Sequence, residues 1–307
     1  MVQHAQFKLS LLKPKYWGIW LGVAVTSLLS LLPIKTQMKI GAGIGRLALR
    51  YIPRRSKVAK RNLELCFPEM SEQQREKLLK QNFEQTGKAI FDTVNAWSWS
   101  NKRIQKHMKI EGQQHVEQAI NDGHGVLLFA VHCLPLEMGA RIFGQFHPGV
   151  GVYRPHDNPV MEYLQVRGRL RSNKALVSKR DVRDMIKALR QKNVVWYTAD
   201  QDFGRSTAVF IPLFAVEQAA TITAATSLAK LGKAKVLPFF VERNDDDSGY
   251  RINIAAPLEN FPGTDEIEDA TRGNKVIEQL IMQNPSQYMW LHRRFKTRPN
   301  PQDAPLY

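Results

Sequence analysis

The chain has 307 residues, with 44 Lys and Arg against 28 Asp and Glu for a formal charge of +16, and 43% of it is hydrophobic. That length and composition allow one large domain or two small ones with a sizeable core, and exclude a disordered tail protein and a multi-span membrane protein. Cys66 and Cys133 are the two cysteines, too few for a disulfide framework and without metal-ligand spacing, which points to a reducing compartment.

The charge is concentrated at the N-terminus. Residues 1–63 hold twelve Lys and Arg and no acid, so the remaining chain carries a surplus of only +4. A basic segment on a nearly balanced body suggests a surface aimed at something anionic. Between Lys15 and Lys35 lie nineteen uncharged residues, Tyr16 to Ile34, headed by Tyr16, Trp17 and Trp20. As a helix this run would roughly match a hydrocarbon core of about 30 Å, with the aromatics at one interface. It reads as a single membrane anchor over residues 1–35 rather than a cleaved signal peptide or a core helix. Nine cations follow it by residue 61 against three before it, which places the body, residues 36–307, in the cytoplasm. Beyond the anchor, Ile40, Ile44, Leu47 and Tyr51 recur at helical spacing opposite Lys39, Arg46 and Arg50. That is the pattern of a helix on an anionic membrane surface, or of an ordinary core-facing helix weakened by Gly41, Gly43 and Gly45.

Residues 56–100 read as helical, with Ser71-Glu72-Gln73-Gln74 as a capping box. From about residue 107 short apolar runs alternate with helical stretches. Strands are expected at 126–131, 150–153, 194–199, 235–242 and 250–255, and helices at 134–146, 159–170, 182–191, 221–231 and 265–283. Such alternation predicts an α/β fold, a mostly parallel sheet flanked by helices. The Asp245-Asp246-Asp247-Ser248-Gly249 stretch reads as a hairpin turn.

Ligands of open α/β sheets bind beyond the carboxyl ends of the strands. There the sequence places His132-Cys133-Leu134-Pro135-Leu136-Glu137, Arg154-Pro155-His156-Asp157-Asn158, and Asp200-Gln201-Asp202-Phe203-Gly204. Glu137 could fix one tautomer of His132 and leave its other nitrogen as a base, or could simply favour a helix N-terminus. Arg154, Arg167, Arg169, Arg171 and Lys174 could bind phosphate or form a solvated helix face. Asp200 and Asp202 alone make a thin metal site.

The anchor, HCLPLE, YRPHDNPVMEYLQVRGRLRSN, DQDFG and QYMWLHRRFKTRP occur in one order. Over nearly its full length the chain resembles the late acyltransferases of lipid A biosynthesis in Gram-negative bacteria. The resemblance implies a glycerolphosphate-acyltransferase-like α/β fold at the inner face of the inner membrane. It also implies transfer of a fatty acyl chain from acyl carrier protein to a 3-hydroxyacyl chain of a Kdo-bearing lipid A precursor. His132 matches the family's catalytic histidine and Glu137 the acid of that motif. Arg154, Asn158, Arg167 and Arg169 fall in the second block and Asp200 and Asp202 in the third, as substrate-binding candidates. Direct transfer needs a base and charge stabilisation but no cofactor or metal, and no nucleotide or flavin fingerprint is present. Another membrane glycolipid as acceptor is the near alternative. A nucleic-acid-associated protein is the distant one, and the balanced body argues against nucleic acid as a partner.

Overall fold

The chain opens with four longer helices: α1 (Trp17–Leu29), α2 (Ile34–Tyr51), α3 (Pro53–Cys66) and α4 (Glu72–Ser98). The computed structural model describes residues 1–307. Short α5 (Asn101–Gln105) leads to β1 (Met108–Glu111), α6 (Gln113–Asn121), β2 (Gly125–Ala130), α7 (Leu136–Phe143) and β3 (Gly149–Tyr153). There follow α8 (Pro159–Arg169), β4 (Asn173–Ser178), α9 (Val182–Arg190) and β5 (Val194–Thr198). A hairpin, β6 (Ala208–Leu213) and β7 (Val216–Ile222), precedes α10 (Ala224–Gly232), β8 (Ala234–Arg243), β9 (Tyr250–Ile254) and α11 (Glu266–Gln283).

Seven strands form one sheet in the order β1-β9-β8-β2-β5-β3-β4, parallel at every pairing except β8 with β9. Every residue of the central strand β2 is buried, as a strand covered on both faces requires. Alternate side chains enter opposite layers: Trp196 packs edge-on against Phe143 of α7, while Phe129 faces Gly273 of α11. The capping box at Ser71 forms with both of its hydrogen bonds. The 245–249 segment closes the β8–β9 hairpin through Asn244 N–H to the Gly249 carbonyl.

The N-terminus departs from the expected membrane-spanning anchor. The uncharged run is split: α1 has 13 residues, about 20 Å at 1.5 Å per residue, and no helix of the protein is long and apolar enough to cross a membrane. Pro33, extended at φ −56° and ψ 142°, separates α1 from α2. The buried Gln37 amide closes that turn by donating to the Ser30 and Leu32 carbonyls at 2.9 and 2.7 Å. Trp17, Leu21, Val25 and Leu28 nonetheless form an exposed stripe on α1, with Leu21 66% exposed. In α2, Ile44, Leu47 and Tyr51 are exposed, whereas Ile40 of the same set packs against the core. The glycines have a different purpose. A Cβ on Gly45 would lie 2.0 Å from the Phe83 carbonyl oxygen, and one on Gly87 would lie 2.0 Å from the Gly41 oxygen. They let the backbones of α2 and α4 touch.

Strands β1, β4 and the β6–β7 hairpin were not anticipated, and α10 begins three residues after the expected Thr221. Both are edge strands interrupted by exposed charges, Lys109 and Glu111 in β1 and Lys174 in β4, so neither gives a long apolar run.

Candidate active site

Parallel neighbours share a register, and here the register builds the site. Ala130 of β2 pairs with Thr198 of β5, so the residues two beyond each strand end, His132 and Asp200, come level. Nδ1 of His132 lies 2.7 Å from Oδ1 of Asp200, and the His132 backbone N–H donates to Oδ2 at 3.1 Å. Asp200 is 1% exposed and the His132 side chain 22%. Burial opposes the Asp200 charge, but His132 and a hydrogen bond from Tyr288 outweigh it and hold the carboxyl below its usual range. Nδ1 of His132 is thereby the protonated nitrogen and Nε2 the acceptor. Around Nε2 stand the Gln201 amide nitrogen at 3.2 Å and the Thr198 hydroxyl at 3.3 Å.

Glu137, expected to bond His132, spends its carboxylate on other partners. Its Oε2 accepts from the Trp97 indole at 2.9 Å and its Oε1 from Arg169 Nε at 2.9 Å and from a second guanidinium nitrogen. The pair ties α7 to α8, and α4 contributes the indole. Burial again works against the charge, and Arg169 and Trp97 reverse it, so the Glu137 carboxyl is held low. The local H-x4-E spacing brought His132 and Glu137 onto one strand-to-helix turn. The carboxylate bonded to the imidazole instead comes from 68 residues away.

Of the other expected residues two are tied into the fold and two are exposed. Asn158 caps α8, its side-chain oxygen accepting from Val160 and Met161 N–H at 3.0 and 3.3 Å. Asp202 is buried and accepts from the Thr297 N–H and hydroxyl at 2.8 and 2.7 Å and from Gly204 N–H at 2.9 Å. Arg154 is exposed and pairs with Asp157 at 3.0 Å. Arg167 is exposed on α8.

The segment from Gln287 onward, which holds the QYMWLHRRFKTRP block, closes over this rim. Met289 N–H donates to the His132 carbonyl at 3.0 Å, and Leu134 N–H to the Gln287 carbonyl at 2.7 Å. Two buried asparagines fasten it. Asn82 of α4 donates to the Ser286 and Tyr288 carbonyls, and Asn62 of α3 to those of Trp290 and His292. Burial, then the nearby His132 and Lys296, pushes His292 down. Burial also raises the Cys133 thiol to about 12, which disfavours the reactive thiolate.

The family described as bacterial lipid A biosynthesis acyltransferase matches residues 4–297 of the chain. The lipid A biosynthesis lauroyltransferase of Escherichia coli (strain K12) is 48% identical over 300 residues, covering 97% of this chain and 98% of that one. A lipid A biosynthesis acyltransferase of Haemophilus influenzae is 47% identical over 98% of this chain and 97% of its own. The Escherichia coli (strain K12) lipid A biosynthesis palmitoleoyltransferase is 41% identical over 97% of each. Among solved structures, the 1-acyl-sn-glycerophosphate acyltransferase of Thermotoga maritima aligns at 14% identity over 78% of this chain and 98% of its own. Its TM-score of 0.31 is too low to bear on the fold.

Proposed function

The chain belongs to the bacterial lipid A biosynthesis acyltransferases, and from that membership we propose a specific reaction, donor and acceptor. A fatty acyl chain passes from acyl carrier protein to the hydroxyl of a 3-hydroxyacyl chain on a Kdo-bearing lipid A precursor. The observation that carries the reading is the buried Asp200 carboxylate on Nδ1 of His132.

In this mechanism Nε2 of His132 takes the acceptor's hydroxyl proton as the oxygen attacks the thioester carbonyl. Asp200 holds the imidazole in the required tautomer and stabilises the imidazolium. The Gln201 amide, a hydrogen-bond length from Nε2, can turn to the oxyanion once the hydroxyl takes its place. Collapse of the tetrahedral intermediate expels the carrier's thiolate, which receives the proton from His132. No acyl-enzyme forms. Glu137 acts through Arg169, keeping a guanidinium fixed between α7 and α8 where an anionic acceptor group can pair with it. The exposed stripe of α1 supports a place at the inner membrane, lying in the interface of the cytoplasmic leaflet without crossing it.

The test is to incubate the purified protein with Kdo2-lipid IVA and a series of acyl carrier protein thioesters, and to identify products by mass spectrometry. A mass gain of one acyl chain is expected. No gain with any donor, or a gain only on a different glycolipid, overturns the reading.

A further inference from the structure

The carboxyl edge of the sheet continues past the His132–Asp200 pair to a group of cations that the mechanism does not use. Tyr153 of β3 is level with Ser178 of β4, so Arg154 and Lys179 leave adjacent strand ends side by side, and Lys179 N–H donates to the Tyr153 carbonyl at 2.8 Å. The Lys179 ammonium sits 4.8 Å above the ring of Phe203, a phenylalanine left 42% exposed. Arg180 follows on the same loop, and Lys296 arrives from the closing segment; all four cations are exposed. Burial and then the charges of Arg154, Arg180 and Lys296 press the Lys179 pKa down, and no carboxylate is among the groups acting on it. The nearest acid engagement, Arg154 with Asp157, is between side chains 66% and 87% exposed, so it neutralises little.

Lys60, by contrast, is an exposed cation that pairs with Glu72 and Glu76. Four like charges brought together from three loops repel one another in the free protein, and an acidic partner relieves that repulsion. Distance narrows the choice. From β2 to β4 the strand order is β2-β5-β3-β4, at about 4.8 Å a spacing, so the ends of β3 and β4 that carry Arg154 and Lys179 lie about 10 and 14 Å across the sheet from the base. A group docked there reaches His132 only if its reactive end is carried on an extended arm. A protein that presents its thioester on such an arm meets that requirement.

We propose that Arg154, Lys179, Arg180 and Lys296, gathered about Lys179 and its Phe203 ring, form the docking surface for an acidic protein, the carrier that delivers the acyl thioester. The assignment rests on the proposed donor class and adds the place where it binds.

The experiment compares the full-length wild type, a Lys179→Glu/Arg180→Glu double variant, and Lys230→Glu, a change of an exposed cation on α10. Binding of acyl carrier protein is titrated directly, and KM for its thioester is measured at low and moderate salt. The double variant should bind the carrier about tenfold more weakly, with KM raised to match, kcat at saturation retained and the salt dependence flattened. Lys230→Glu should behave as wild type, and unchanged melting shows that each variant folds. Equal KM values for the double variant and Lys230→Glu overturn the assignment. So does an effect confined to the lipid acceptor or to flotation on anionic vesicles, which would make the patch a reader of lipid phosphate. If the wild type binds carrier protein yet transfers nothing from its thioesters, the proposed reaction fails while the docking surface is still tested by the titration.

Discussion

Asp200 commits both carboxylate oxygens to His132, one to the ring and one to the backbone, so its removal should affect rate before anything else. Asp200→Asn should lower kcat by about 10²–10⁴ with KM for both substrates little changed, because the amide favours the wrong tautomer and cannot stabilise an imidazolium. Steady-state kinetics with a folded variant decide this. A kcat within a few-fold of wild type would remove Asp200 from the mechanism. Cys133→Ser should keep its activity, since a thiol raised to about 12 by burial has no part in direct transfer. A trapped thioester on Cys133 in the wild type would contradict that. The site was legible at His132, which ends an apolar run, because strand ends of parallel sheets gather functional groups. Its carboxylate was not. Glu137 is near in sequence, whereas Asp200 becomes a neighbour only through the β2–β5 pairing, and no residue of either strand announces which strand it will adjoin. Gln201, Thr198 and Tyr288 escaped for the same reason.

Among the elements, the α2–α4 crossing is the most sensitive to a single methyl group. Gly45→Ala would place a Cβ 2.0 Å from the Phe83 carbonyl oxygen and should destabilise the protein by about 1–3 kcal/mol through forced separation of the helices. Gly43→Ala is the matched control: its Cβ would meet only Arg46 at 3.9 Å, so it should be neutral or gain up to about 1 kcal/mol in helix propensity. Denaturant unfolding of both variants measures the difference, and equal midpoints would mean that the close approach carries no weight. Helix periodicity and the capping box located α3, α4, α9 and α11 well, because those signals are local. Hydropathy misjudged the Tyr16–Ile34 run because it scores composition and not the break. Pro33 and the Gln37 side chain turn the chain there, and the apolar residues end as an exposed stripe. Replacing Trp17, Leu21 and Leu28 together with Glu should therefore abolish flotation with anionic vesicles. Unchanged flotation of the variant would assign membrane contact to another surface.

For the whole molecule, acid is the condition to which the site responds most. Asp200 and Glu137 are both held below the ordinary carboxylate range. The stability they add is fully present above the unfolded-state pKa of about 4 and is lost as pH falls through their lower native values. Melting temperature should thus stay level down to about pH 5 and drop below it, and Glu137→Gln should flatten part of that drop. A variant curve parallel to wild type would show that the pair does not couple to folding. The segment that fastens Tyr288 and Met289 over the rim has a consequence for biosynthesis. Every strand of the sheet is complete by Ile254, yet the contacts to His132, Asp200 and Asp202 come from residues 288–297. The ribosome therefore completes every strand before it makes the segment that closes the rim, and on the proposed reaction a chain ending at Ile254 would hold His132 and Asp200 without their closing contacts.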